Sequence, residues 1–292
     1  MAVASRSQPA SRLVLHRKTV ERGLSYLALA FFMFIALFPI FWMLMTSIKN
    51  DYDLVDPNLT PFWFQRPLTL GHYEYLFTAT KFGTWLGNTF LISACVVAIT
   101  LAVCIPGSYA LARLRFFGAE NLGIGIFLTY IVPPTILFLP LARVVATAGL
   151  YNSKWGLVLV YPTFTIPFCL WLLAGFFRTV PLEIEEAALV DGCNRLQAVL
   201  RVVLPLSMAG ILTVAIFAFT LGMQEFVYAL TFVSSSAEKP VTLGVVTDLI
   251  RGDVYFWGSL MAGALLAGVP VAILYNFFLD YFVEGITGGA LK

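Results

Sequence analysis

The sequence predicts an all-α integral membrane protein with six transmembrane helices, and three observations carry that expectation. Of its 292 residues 60% are hydrophobic and only 12% charged, with a mean hydropathy of +0.87. A water-soluble globule of this length cannot hide so much apolar surface beneath a largely polar exterior. Six apolar stretches are long enough to cross about 30 Å of hydrocarbon, which takes roughly 20 helical residues each. Lysine and arginine also collect in alternate connecting segments, the pattern expected when the basic side faces the cytoplasm.

The first span is placed at 24–45. Arg17, Lys18 and Arg22 precede it as they would a signal peptide, but the apolar run is too long and lacks an A-x-A exit, so an uncleaved helix is expected. The others are placed at 87–111, 122–145, 156–177, 206–233 and 258–283. Pro39, Pro106, Pro133, Pro134, Pro140, Pro162, Pro167 and Pro270 recur within them. Each removes a backbone donor and favours a kink, which suits a moving transporter, though proline is also commoner in membrane helices generally.

Orientation follows from the basic residues. Arg6, Arg12, Arg17, Lys18 and Arg22 precede the first span, Arg113 and Arg115 follow the second, and Arg178, Arg195 and Arg201 follow the fourth. That side is expected to be cytoplasmic, with both termini on it. The opposite loops carry Lys49, Arg66, Lys81, Arg143, Lys154, Lys239 and Arg251, several with acidic neighbours such as Asp51, Asp53 and Asp56. The small net charge of +2 gives no reason to expect a nucleic-acid partner. The segment from Ser5 to Ser11 looks disordered, and Asn58-Leu59-Thr60 matches a glycosylation sequon by composition alone.

Catalytic and metal sites are not expected. Cys95, Cys104 and Cys169 fall in apolar stretches, and with Cys193 they form no CxxC or Cys/His cluster. His16 and His72 sit in separate polar segments and form no dyad. No Gly-x-x-x-x-Gly-Lys-Ser/Thr loop occurs, since no lysine directly follows a glycine, so the chain is not itself a nucleotide-binding motor of that type.

The most informative stretch is 179–210, between the fourth and fifth spans. Pro181 opens a short helix, Glu183, Glu185 and Glu186 occupy its early turns where the positive dipole end favours them, and Gly192 ends it. Asn194 reads as the N-cap of a second helix, with Gln197 completing a capping box. Ile184, Ala187 and Ala188 share a face of the first helix, and Leu196, Val199, Leu200, Val203 and Leu204 form a stripe on the second. Such an amphipathic knob fits a partner's groove, where small alanines allow close approach. Periodicity alone equally allows a helix pair lying on the membrane surface.

At this point the residues carry a resemblance. Glu186-Ala187-Ala188, three residues, Gly192, nine residues and then Val202-x-Leu204-Pro205 resemble the EAA motif of binding-protein-dependent ABC importer permeases, written EAA-x3-G-x9-I-x-L-P. The departure is Val202 for isoleucine, a volume-tolerant change. The likeness extends over most of the chain to the MalG-like carbohydrate branch of that family. Tyr109-Ala110-Leu111-Ala112-Arg113-Leu114 resembles its Y-A-x-A-R-x segment. Met223-Gln224-Glu225-Phe226 resembles its W-N-E-F with two positions changed, and Gly285 to Lys292 resembles its glycine-rich tail.

The resemblance implies a type I ABC importer permease fold, with a cytoplasmic tail at 1–23, a six-helix permease domain at 24–283 containing a coupling loop at 179–205, and a second tail at 284–292. It implies that Glu185, Glu186, Ala187, Ala188, Asp191 and Gly192 couple to a separate ATPase, while Leu204 and Pro205 brace the turn into the fifth span. It also implies a second, MalF-like permease, two copies of a cytoplasmic ABC ATPase that bind ATP and Mg, and an extracytoplasmic solute-binding protein, all at a bacterial inner membrane. This chain needs no cofactor of its own on that reading.

Solute contacts are less legible. Glu225 is the acidic residue placed furthest inside a span, near its outer end, where a structural or gating role is favoured over direct solute binding. Gln224, Tyr228, Tyr130 and Thr129 are secondary pathway candidates, because sugar hydroxyls suit neutral polar and aromatic partners. In the maltose system the partner permease supplies the defined sugar site. Asp248, Arg251, Asp253 and Tyr255 lie in an external loop that either contacts the binding protein or is simply solvated. A secondary transporter or channel would need ion-coupling groups near mid-membrane, and an intramembrane enzyme would need a convergent nucleophile, base or metal set. Both readings leave the EAA pattern as coincidence.

Overall fold

The computed structural model describes residues 10–59, 62–114 and 116–290, with side chains described over 22–59, 62–114 and 116–279. The expectations made for Ser5 to Pro9, Thr60, Arg115, Leu291 and Lys292 lie outside the described residues, as do those resting on the side chains of Arg12, Arg17 and Lys18.

Helix α1 (Ala10–Ile48) contains the first span, and from Leu24 to Phe41 its large apolar side chains are exposed, as lipid or another apolar surface would require. A short α2 (Asp51–Val55) and α3 (Gly71–Thr78) follow at the same end of the bundle. Between them the buried Asp53 accepts from the backbone N–H groups of Gln65 and Arg66, at 3.0 and 3.1 Å, and so closes the loop.

The second span is α4 (Phe82–Arg113), 32 residues long and unbroken at Pro106. Its buried side mixes small polar residues, Asn88, Thr89, Ser93, Thr100 and Ser108, with larger ones such as Trp85, Ile92 and Tyr109. Small residues at a membrane helix interface let backbones approach closely, and hydroxyls bond across it: Thr100 meets Thr165 at 2.7 Å and Ser108 donates to the Leu170 carbonyl at 2.8 Å.

The third span, expected as one helix at 122–145, is two: α5 (Ala119–Ile131) and α6 (Pro134–Thr147), bent by 96°. Consecutive prolines explain this. Pro133 and Pro134 supply no N–H donors, and a residue before proline is driven out of the helical region, so Val132 and Pro133 are extended at ψ 121° and 125°. The fourth span comprises α7 (Lys154–Val160) and α8 (Pro162–Thr179), which together form one continuous crossing from Lys154 to Thr179.

Next come α9 (Leu182–Val190), α10 (Arg195–Ala198), a π-helical turn (Val199–Val203) and α11 (Leu204–Leu206). The fifth span, expected at 206–233, is also broken: the chain bends 77° at Ser207 into α12 (Met208–Gln224) and breaks again at Glu225 before α13 (Val227–Phe232). Residues 234–240 then lead into α14 (Val241–Leu249) and a hairpin of β1 (Ile250–Arg251) and β2 (Val254–Tyr255). The last span lies in α15 (Trp257–Ala290), against which α1 and α12 pack.

Helix α4 is central, packing on both α8 and α12. Near the α9 end the core gathers Cys104, Cys169, Leu173, Phe177, Val199, Val203 and Val214; toward the opposite end it gathers Ile92, Val96, Leu157, Tyr161, Tyr228 and Phe232.

Candidate functional site

Helices α9 and α10 form the expected two-helix knob. Helix α9 ends in a Schellman closure: Cys193 N–H bonds the Ala188 carbonyl at 3.0 Å and Gly192 N–H bonds that of Leu189 at 3.1 Å. Gly192 holds φ +92°, a left-handed conformation that glycine adopts freely. Asn194 then caps α10, its side chain accepting from Gln197 N–H and the Gln197 side chain accepting from Asn194 N–H, each at 2.9 Å. The capping box read from the sequence is therefore formed.

The inward face differs from the expected one. Ala188 is buried, but Ile184 and Ala187 are exposed, and the second residue turned inward is Glu185. Its carboxylate accepts a hydrogen bond from the Tyr109 hydroxyl and lies 3.4 Å from Arg113 Nε, while Arg113 Nη2 donates to the Val180 carbonyl at 2.6 Å. Charge burial explains the arrangement: a carboxylate can be taken out of water where a cation and a hydroxyl meet it. Glu185, expected beside Glu186 at the ATPase contact, thus faces its own chain. Glu186 is exposed and shares with Tyr109, Arg113, Leu182, Leu189 and Arg195 the wall of an open cleft of about 330 Å³.

On α10 and the π turn, Val199 and Val203 are buried and Leu204 is half-buried, whereas Leu196 and Leu200 are exposed. The outer surface of the knob therefore carries Leu182, Ile184, Val190, Leu196 and Leu200 around Glu186 and Ala187. Asp191 is the exposed C-cap of α9. Pro205 is exposed, and the preceding π turn accommodates it: Leu204 N–H bonds the Val199 carbonyl, five residues back, where proline's missing donor and its ring disfavour a regular α turn.

The pathway candidates do not converge. Glu225 sits at the break between α12 and α13 and caps α13, with Tyr228 N–H on Oε1 at 2.9 Å and Ala229 N–H on Oε2 at 3.2 Å. Tyr161 donates to the same carboxylate at 2.8 Å, and Thr242 donates to the Glu225 carbonyl at 2.9 Å. These bonds tie Glu225 to α13, Tyr161 and Thr242 of its own chain. Tyr228 is buried, its hydroxyl bonded to the Pro134 carbonyl at 2.7 Å, so it pins the broken third span to α13. Gln224, Thr129 and Tyr130 are exposed, Tyr130 lying beside Phe168 with ring centroids 5.1 Å apart.

At the end opposite the knob, residues 234–249 form a strap across the Trp85 end of α4. Trp85 Nε1 donates to Ser236 O at 2.7 Å, and Asn88 Nδ2 to the carbonyls of Ala237 and Lys239 at 2.8 and 3.0 Å. Asn152, at φ +60°, accepts from the N–H groups of Ser234 and Ser235. Asp248 is held by Lys239 at 3.1 Å and by neighbouring bonds, while Arg251, Asp253 and Tyr255 are exposed on the hairpin, Tyr255 stacked on Trp257 at 5.1 Å. Trp85 and Asn88 carry no mark in the sequence, and Tyr109 and Arg113, though they stand in the Y-A-x-A-R-x segment, show there no pairing with Glu185. The spacing of four between Tyr109 and Arg113 places them on one helix face and was the available signal.

Residues 104–288 match the family described as binding-protein-dependent transport system inner membrane component. The chain is 32% identical to the inner membrane ABC transporter permease protein YcjP of Escherichia coli, over 95% of this chain and 99% of that protein. It is 33% identical to the diacetylchitobiose uptake system permease protein DasC of Streptomyces coelicolor, over 87% of this chain and 91% of that one. With the sulfoquinovosyl glycerol transport system permease protein SmoH of Agrobacterium fabrum it shares 34% identity, over 93% and 94%. In fold it is similar to a chain of a bacterial ABC transporter involved in the import of the acidic polysaccharide alginate, with a TM-score of 0.74 over 96% of this chain and 100% of that one, at 20% identity.

Proposed function

We propose that this chain, which belongs to the family of binding-protein-dependent transport system inner membrane components, carries a sugar or sugar derivative into the cell. It is the multi-pass membrane permease of an ATP-driven ABC importer, a transport subunit and not an enzyme, working with an ATPase and a solute-binding protein. The sugar assignment rests on relatives named for diacetylchitobiose, sulfoquinovosyl glycerol and trehalose/maltose. A second permease completes the pathway, two ATPase copies bind ATP and Mg, and both termini lie in the cytoplasm with the knob.

The observation that carries the coupling role is the outer face of the knob. It is held from within by Glu185, Ala188, Val199 and Val203 and turns Leu182, Ile184, Val190, Leu196 and Leu200 outward around Glu186. So apolar a surface on an ordered connection calls for a cover, and with exposed Glu186 and the small Ala187 set among its apolar side chains, a groove on a partner fits it better than the membrane surface. Closure of an ATPase dimer then displaces the knob, and packed helices pass the movement to the spans as alternating access.

Purification of the tagged chain in mild detergent from its native membrane, with mass spectrometry of what accompanies it, tests this. Recovery of an ABC ATPase and a second six-helix permease is expected. Recovery of the chain alone, at high yield, would favour an ATP-independent transporter.

A further inference from the structure

Buried charge on a surface knob calls for a reason. Glu185 and Arg113 have side chains only 6% and 8% exposed, and Arg113 Nε and Glu185 Oε2 face each other at 3.4 Å with no hydrogen-bond partner of their own. Taking two charges out of water costs several kcal/mol for each ion, and an ion pair offsets that only with tight geometry and added hydrogen bonds. Here Tyr109 supplies one such bond to Glu185, and the Val180 carbonyl occupies Arg113 Nη2. Swinging α9 away from α4 breaks the Tyr109 bond and the ion pair together, so both groups must exchange their partners for water in the same movement. The Tyr109 hydrogen bond and the ion pair thus fix α9 to α4 in one direction and register, which the apolar contacts beside them do not.

Helix α4 is also tied at its far end. From Arg113 it runs unbroken for about 42 Å back to Trp85, with Asn88 one turn short of it, and these two side chains hold the strap at Ser236, Ala237 and Lys239. We propose that Tyr109, Arg113 and Glu185 form a latch that makes α4 the strut of the transporter, moving as one body with the coupling helix α9 and carrying its displacement to the outer strap. Tyr109 and Arg113 are positioning residues for that helix, and Glu185 holds it from inside without touching the ATPase. This rests on the coupling reading given above.

The test uses the complete complex, reconstituted in liposomes with its binding protein, and reads two quantities: ATPase retained per permease, and ATP hydrolysed per solute moved. Tyr109→Phe and Glu185→Gln, which preserve size, are expected to retain the ATPase fully yet raise ATP consumed per solute by about two- to thirtyfold, the range of effects seen along coupled networks. Arg113→Lys, which keeps the charge, should restore most of the coupling that Arg113→Ala loses. Unchanged ATP per solute in both Tyr109→Phe and Glu185→Gln would overturn the latch, as would loss of the ATPase from Glu185→Gln, since that would make Glu185 a docking contact. If the wild-type chain carries no ATPase at all, the importer reading fails instead, a result already visible in the unmutated preparation.

Discussion

At the residue scale, Glu186 and Gly192 divide the work of the knob between surface and backbone. Glu186 is exposed on the outer face, while Gly192 lets the chain turn at φ +92° between α9 and α10. Glu186→Lys is expected to leave the protein in the membrane and abolish uptake, because it reverses charge on the docking face only. Gly192→Asp strains the turn by about 1 kcal/mol and tilts α9 against α10, so uptake should fall severely at normal membrane levels. Uptake assays beside immunoblots of membrane fractions check both, and normal transport in the pair would remove the knob from the mechanism. Glu225→Gln keeps an acceptor for the α13 cap and should weaken transport only severalfold, in line with a capping role of about 1 kcal/mol; complete loss with normal assembly would place Glu225 in the solute path. The EAA spacing made Glu186 and Gly192 legible from sequence. The inward turn of Glu185 was not, because its partner Tyr109 lies 76 residues away and no local pattern encodes that meeting.

Among the elements, spans followed directly from apolar length, whereas their breaks followed only where backbone chemistry forces one. The 96° bend between α5 and α6 falls at Pro133-Pro134, where two donors are missing. The 77° bend at Ser207 has no comparable mark, since Pro205 lies two residues earlier and is absorbed by the π turn. The strap depends on a contact equally hidden in sequence: Gly244 of α14 lies flat on Trp85, and a Cβ there would come 2.2 Å from the indole ring. Gly244→Val should therefore lift α14 from α4, at about 1–3 kcal/mol of overpacking cost. We expect it to lower the stimulation of ATP hydrolysis by binding protein while leaving ATPase retention unchanged, because the strap lies at the end opposite the knob. Unaltered stimulation would show that the strap's seat on α4 is irrelevant to signalling.

For the molecule as a whole, one long helix, α4, joins the knob at one end to the strap at the other. Apolar exposure along α1 and on the outer face of the knob marks surfaces that the isolated chain leaves uncovered, the first suited to lipid or another membrane subunit and the second to the ATPase. The sequence made the need for partners readable from the amphipathic knob and the EAA pattern; the structure adds which faces are left open and which, like that of Glu185, are closed. The measurement that tests the central claim most directly is solute uptake into liposomes containing the purified complex, with ATP sealed inside and binding protein outside. Sugar accumulation is expected, and it stops when either ATP or binding protein is omitted. Equal accumulation without ATP, driven by an imposed ion gradient, would contradict it.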